Sequence, residues 1–125
     1  MEFTIPNEIK VGGMIYSVVE KEAVIIDDDR NHAGKCNYTE CQIELLSSLN
    51  PLRKEQTFFH ELTHAILYEA GYMYDEHDED LVDRFAIVAH QVFKDNWSND
   101  VAVDVTMTYG GEEVSRKVHV TGSRL

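Results

Sequence analysis

The sequence has few cysteines, few basic residues and no long apolar run. Its 125 residues include 2 cysteines, and 11 lysines and arginines stand against 23 aspartates and glutamates, for a formal net charge of −12. A chain this acidic repels phosphate backbones, which argues against direct nucleic-acid binding as its activity. No segment approaches the roughly 18 consecutive apolar residues of a membrane span, so no membrane association is expected.

The start of the chain and its cysteines predict an intracellular protein. Residues 1–6 carry no basic region followed by an apolar run, so no secretory signal is predicted and a cytoplasmic location is expected. A disulfide between Cys36 and Cys41 is not expected there, and both are predicted to be reduced. The length and a hydrophobic content of 43% fit one globular domain spanning residues 1–125.

The most informative stretch is residues 57–67, which contains the pattern His-Glu-x-x-His. On a helix, residues four apart share a face, so His60 and His64 can both direct an imidazole nitrogen to one ion about 2 Å away. Glu61 then stands beside the metal, where a general base takes a proton from a metal-bound water. Apolar residues at helical spacing around the motif predict a core helix. The pattern therefore predicts one Zn²⁺ ion and hydrolytic chemistry.

The sequence outside this motif predicts an α+β fold with a small, mainly antiparallel N-terminal sheet in residues 1–47. Gly12 and Gly13 accept the positive φ angles of a tight turn, which predicts a hairpin. The acidic run that begins at Asp27 predicts an exposed loop over residues 27–32. Alternation of apolar and polar residues predicts a strand over residues 42–45.

Two helices are predicted after the sheet. The first covers about residues 51–70, with Asn50 or Ser48 as its cap and Gly71 as its stop. The second covers about residues 78–97, where acidic residues at the start complement the helix dipole. Its predicted core stripe consists of Leu81, Val82, Phe85, Val88, Ala89, Val92 and Phe93.

A C-terminal β-hairpin is predicted over residues 101–120. Valines alternate with polar residues on both sides of Gly110 and Gly111, and a two-residue turn there places the apolar partners on one face. That face needs the core or a partner surface to pack against.

A catalytic zinc needs a third protein ligand, and the start of the second helix offers candidates. Glu79 and Asp83 lie four apart on one face, so one could bind the metal while the other orients a ligating imidazole through its second nitrogen. Two histidines and one glutamate form the ligand set of thermolysin-like enzymes. His77, in the connector between the helices, is the rival third ligand.

Together the two motifs resemble the ImmA/IrrE family of small zinc metallopeptidases. Its members pair a His-Glu-x-x-His helix with a second helix carrying Glu-x-x-Ala-Asn/Asp-x-Phe-Ala. Here residues 60–65 are followed by Glu-Asp-Leu-Val-Asp-Arg-Phe-Ala at residues 79–86, with Val82 where the family often has alanine. The match covers roughly residues 34–95. The resemblance implies a minimal zincin-like domain whose metal ligands are His60, His64 and Glu79, with Glu61 as the base and Asp83 orienting His60.

The resemblance implies a zinc metalloendopeptidase that hydrolyses peptide bonds of an intracellular protein. Small stand-alone versions look like phage or mobile-element proteins, whose relatives inactivate helix-turn-helix repressors by cleavage or regulated contact. The substrate could add as an extra strand along residues 42–45. The reaction also needs a group that stabilises the oxyanion, and the candidates are Tyr68, Tyr72, Tyr74 and His90.

A second hypothesis is a zinc-stabilised regulator that binds a partner without cutting it. The acidic surface and the predicted hairpin motivate this hypothesis. Zinc would then contribute to folding rather than to chemistry.

Overall fold

The computed structural model describes residues 3–97 and the backbone of residues 101–109 and 112–120. The fold is α+β, and a mainly antiparallel N-terminal sheet precedes two helices, as predicted. The helices are α1 (Pro51–Glu69) and α2 (Glu79–Asn96), with one 3-10 turn, Tyr74–Glu76, between them. The strands are β1 (Glu8–Val11), β2 (Met14–Lys21), β3 (Val24–Ile26), β4 (Asp29–His32), β5 (Gly34–Asn37), β6 (Gln42–Leu46), β7 (Val101–Tyr109) and β8 (Glu112–Val120).

The hairpin predicted at Gly12 and Gly13 is confirmed and joins β1 to β2. Both glycines have positive φ, 57° and 90°. A side chain at Gly12 would also place its Cβ 2.8 Å from the Cβ of Glu69. Tyr16 on β2 is fully buried and donates a 2.7 Å hydrogen bond to the Glu69 carboxylate. The hairpin therefore contacts the last turn of α1 at Glu69.

The main sheet has the strand order β1-β2-β6-β5. Two of its pairs are antiparallel, whereas β2 and β6 run parallel with Ser17 opposite Gln42. Strand β6 therefore has a neighbour on each side, and the prediction that a peptide could add along residues 42–45 is wrong. Alternation identifies a strand but not its neighbours, because pairing is a long-range contact. In this sheet β5, not β6, has an open edge.

The prediction of a loop over residues 27–32 is wrong in part. Asp27 and Asp28 form the turn with φ of 50° and 66°, and β4 begins directly after them and pairs antiparallel with β3. Two successive left-handed residues make a primed hairpin turn, which aspartate tolerates better than most residues. The acidic run is thus the turn of a second hairpin.

Helix α1 packs its buried face on the main sheet. The Asn50 side chain accepts a 2.9 Å hydrogen bond from the Leu52 N–H, which identifies Asn50 as the cap. Gly71, with φ of 103°, follows the C-terminal end. Burying one large apolar side chain stabilises a fold by about 1.5–3 kcal/mol. The largest fully buried side chains in this layer are Tyr16, Ile43, Leu45, Phe58 and Phe59.

Only part of the predicted stripe of α2 faces the core: Val82 is fully buried, and Ala89 and Phe93 pack against the core cluster. The buried residues of α2 are Val82, Ala86 and His90, while Phe85 and Val88 are more than half exposed. The prediction is wrong for the exposed residues because apolar side chains occupy two adjacent stripes of this helix, and hydrophobic spacing does not distinguish the two stripes. The small side chain of Ala86 lies on the core-facing stripe. An apolar stripe of Leu81, Phe85, Val88 and Val92 is left exposed.

Strands β7 and β8 pair in antiparallel register, with Val103 opposite Val118 and Met107 opposite Val114. Residues 110–111 lie outside the described part of the chain, so the hairpin remains a prediction. Cys36 and Cys41 are both free and partly buried against the core. In the described part of the chain, neither helix is long and apolar enough to cross a membrane.

Candidate metal centre

Helix α1 contributes two imidazole rings that stand one turn apart. The ring centroids of His60 and His64 are 5.0 Å apart. The His60 side chain is 25% exposed and that of His64 10% exposed. Burial lowers the pKa of His64, with an opposing contribution from the Glu79 charge. The neutral imidazole, which is the form that binds metal, is favoured as a result.

Helix α2 brings Glu79, its first residue, against both rings. One carboxylate oxygen lies 3.0 Å from His64 Nε2 and the other lies 3.4 Å from His60 Nε2. One ligand atom from each of the three residues lies within 4.8 Å of the other two. Two atoms bound tetrahedrally to zinc at about 2.1 Å are roughly 3.4 Å apart. The spacing and the donor types therefore fit one zinc ion.

The outer nitrogen of each ring also has a partner. Asp83 Oδ1 lies 2.8 Å from His60 Nδ1, which is the position required of the residue predicted to orient His60. His64 Nδ1 lies 2.8 Å from Nδ1 of His77. The structure thus places His77 behind a candidate ligand and not among the ligands, where the sequence had made it the rival of Glu79. The contact between His77 and His64 could not be predicted from the sequence, because it depends on the path of the connector.

Glu61 is buried beside the triad. It is 8% exposed, and burial raises its pKa to about 8, with a smaller contribution from the charge of Glu79. Strand β5 closes over it at Gly34, where an added Cβ would come within 2.5 Å of Thr57 and 3.1 Å of Glu61. A carboxylate whose pKa lies near neutral pH can take up and release a proton at working pH.

Two cavities meet at this centre. One, of about 520 Å³, is lined by Gly34, Tyr38, Glu61, His64, Tyr74 and Glu79 among others. The other, of about 400 Å³, includes Gly34, Arg53, Thr57, His60, Glu61 and Asp83. Because both include Gly34 on β5 and Glu61 on α1, space for a ligand extends to both sides of the candidate base along the open strand edge.

Of the four candidates for an oxyanion partner, the structure brings only Tyr74 into a cavity with the triad. Tyr68 stacks on Tyr38 at a centroid distance of 4.4 Å, and Tyr72 is 53% exposed. His90 is buried on α2 and forms a 2.8 Å contact with the Glu55 carboxylate.

Tyr38 was missed by the sequence analysis, although it lines the same cavity as the triad. Burial raises its pKa well above the ordinary range, so the phenol retains its proton as a hydrogen-bond donor. It lies in the turn between β5 and β6, and its position depends on how those strands pair.

A scan against protein-family models, a search of curated proteins and a search of solved structures each found no match to this chain.

Proposed function

We propose that this chain is a zinc-dependent metalloendopeptidase with a minimal zincin-like domain of the ImmA/IrrE type. Its substrate would be an intracellular protein, such as a helix-turn-helix repressor in a phage or mobile-element setting. The observation that carries the proposal is the convergence of His60 Nε2, His64 Nε2 and the Glu79 carboxylate beside buried Glu61. This is the two-histidine, one-carboxylate set of catalytic zinc sites, which leaves a position open.

Each residue of the centre has a separate task in this proposal. His60, His64 and Glu79 hold the ion, and Asp83 fixes the orientation of the His60 ring through Nδ1. Zinc in such a site acts as a Lewis acid and lowers the pKa of a bound water. Glu61 accepts a proton on its carboxylate and then delivers it to the leaving amine of the peptide.

The open edge of β5 offers a place for an extended substrate. Within the main sheet this strand pairs with β6 alone, and Gly34 on it lies so close to α1 that an added Cβ would come within 3.1 Å of Glu61. A peptide that adds to this edge gains backbone hydrogen bonds and passes the centre. Tyr74 and Tyr38 line the cavity there and could donate to the oxyanion.

Substitution of Glu61 by glutamine tests the catalytic part of this proposal. Zinc-loaded wild-type protein, incubated with a mixture of denatured cellular proteins, should generate new peptide termini detectable by mass spectrometry. Glu61→Gln should bind the same amount of zinc and lose cleavage by at least about 10²-fold, since it removes the general base. Glu22→Gln, at an exposed position, is the matched control and should cut normally.

Cleavage by Glu61→Gln at the wild-type rate would contradict the mechanism. Absence of cleavage by the zinc-loaded wild type would instead favour a second function, a zinc-stabilised regulator that binds protein without cutting it. The exposed apolar stripe of α2 (Leu81, Phe85, Val88 and Val92) supports that alternative, because contiguous exposed apolar surface marks interaction sites.

A further inference from the structure

His77 occupies an unusual place in the connector between the helices. Its Nδ1 lies 2.8 Å from Nδ1 of His64, and its Nε2 lies 2.9 Å from the carbonyl oxygen of Tyr72. The two imidazole rings are nearly parallel, with an angle of 17° between their planes, and their centroids are 5.1 Å apart, as in two rings joined edge to edge by this hydrogen bond. One ring thus joins the backbone of the connector to a candidate metal ligand.

The hydrogen bonds determine which nitrogen of each neutral ring carries its proton. A carbonyl oxygen only accepts, so the proton of His77 must be on Nε2, and its Nδ1 is left as an acceptor. The proton of His64 must then be on Nδ1, where it donates to His77. The lone pair of His64 Nε2 is left facing the Glu79 carboxylate at 3.0 Å. Two acceptors at this distance repel each other unless a cation lies between them.

We propose that His77 is a positioning residue for the metal centre, which orients the His64 ring and holds the tautomer that presents Nε2 to the ion. This inference rests on the proposed zinc site, though not on peptidase activity. The two ligands of α1 are then supported differently, His60 by the Asp83 carboxylate and His64 by a second imidazole anchored to the Tyr72 carbonyl.

Zinc affinity measured by competition with a chromophoric chelator at constant pH tests this inference. His77→Phe keeps an aromatic ring but removes the acceptor, and it should weaken zinc binding by about 10- to 100-fold. His77→Asn places an amide oxygen near the position of Nδ1 and should restore affinity to within a few-fold of wild type. His32→Phe is the matched control, because His32 lines both cavities but bonds to neither ligand ring in the described residues.

A nuclear magnetic resonance measurement separates positioning from general packing. In zinc-loaded wild type and His77→Asn, the proton on His64 Nδ1 should be protected from exchange, and in His77→Phe it should exchange with solvent. Wild-type zinc affinity in His77→Phe would overturn the inference, as would equal losses in His77→Phe and His77→Asn.

The zinc site itself is tested separately by His64→Ala. If wild type and His64→Ala bind zinc equally well, the proposed site fails and the role of His77 fails with it. If His64→Ala loses zinc while His77→Phe does not, only the inference about His77 fails. The melting temperatures of the metal-free variants show whether each one has folded.

Discussion

The two helices that meet at the candidate centre present their polar groups in opposite environments. On α1, Glu61 and His64 are both buried and belong to a stretch that packs on the sheet. On α2, the side chains of Glu79 and Asp83 are 66% and 62% exposed. Folding of the core therefore buries the α1 groups, whereas those of α2 lie exposed at the start of a helix that packs on the core through Val82 and Ala86.

This difference in exposure predicts which substitutions change the free energy of unfolding of the metal-free protein. A buried polar group affects the free energy of unfolding even without metal, because its environment differs greatly from that of the unfolded chain. An exposed group at a helix start has little effect on the free energy of unfolding, so its substitution should chiefly change the affinity for a ligand. The stability of the metal-free protein should therefore change most on substitution of Glu61 and least on substitution of Glu79.

The largest change concerns the pH dependence that Glu61 imposes on α1. Its folded-state pKa of about 8 lies above the ordinary value of 4.5. Between these two pH values the unfolded chain has lost the proton and the folded chain keeps it, so raising the pH favours unfolding. The contribution of Glu61 should fall by about 1.4 kcal/mol per pH unit, up to roughly 5 kcal/mol, and level off above pH 8.

Urea denaturation of metal-free wild type and Glu61→Gln across pH 4.5 to 8 measures this contribution as the difference between the two proteins. Glu22→Gln, at an exposed position, should show the same pH dependence as wild type. If the stability difference between wild type and Glu61→Gln did not change with pH, Glu61 would not be in the buried environment described here, and the contrast between the helices would be lost.

A matched pair of valines on α2 tests which side of that helix faces the core. Val82 is fully buried and Val88 is 58% exposed. Val82→Ala should lower the free energy of unfolding by about 2 kcal/mol, because it removes buried methyl groups and leaves a cavity. Val88→Ala should change it by less than about 0.5 kcal/mol. Chemical denaturation measures both values, and equal losses would show that both stripes of α2 are covered.

Local signals in the sequence predicted much of this arrangement. The helix cap, the stop at Gly71 and the tight turn at Gly12 each depend on neighbouring residues only. The turn and the stop are found, and of the two predicted cap residues Asn50 is the one that caps α1. Helical spacing also placed His60 and His64 on one face. The prediction that Glu79 approaches that face needed the resemblance to a known family in addition to spacing. A pattern within one helix does not indicate which residue of another helix lies next to it.

Features that depend on contacts between distant segments were not predictable in the same way. Because β6 pairs with β2 on one side and with β5 on the other, β5 lies at an edge of the sheet, as β1 does at the opposite edge. The sequence of β6 does not indicate which strands it pairs with. Both stripes of α2 contain apolar side chains, so the contacts with α1 and not the hydrophobic pattern decide which stripe is buried. His77 and Tyr38 approach the centre from a connector and a turn, whose paths are set by the elements on either side.

The smallest expected change in metal-free stability comes from Glu79→Gln at the start of α2. The amide keeps the size of an exposed side chain, so the free energy of unfolding should stay within about 0.5 kcal/mol of wild type. Zinc affinity should nevertheless fall by at least about tenfold, because an anionic ligand becomes a neutral one. Denaturation of metal-free protein and chelator competition measure the two quantities, with Glu22→Gln as the exposed control. A stability loss above about 1 kcal/mol would mean that the start of α2 is as integral to the fold as the buried stretch of α1.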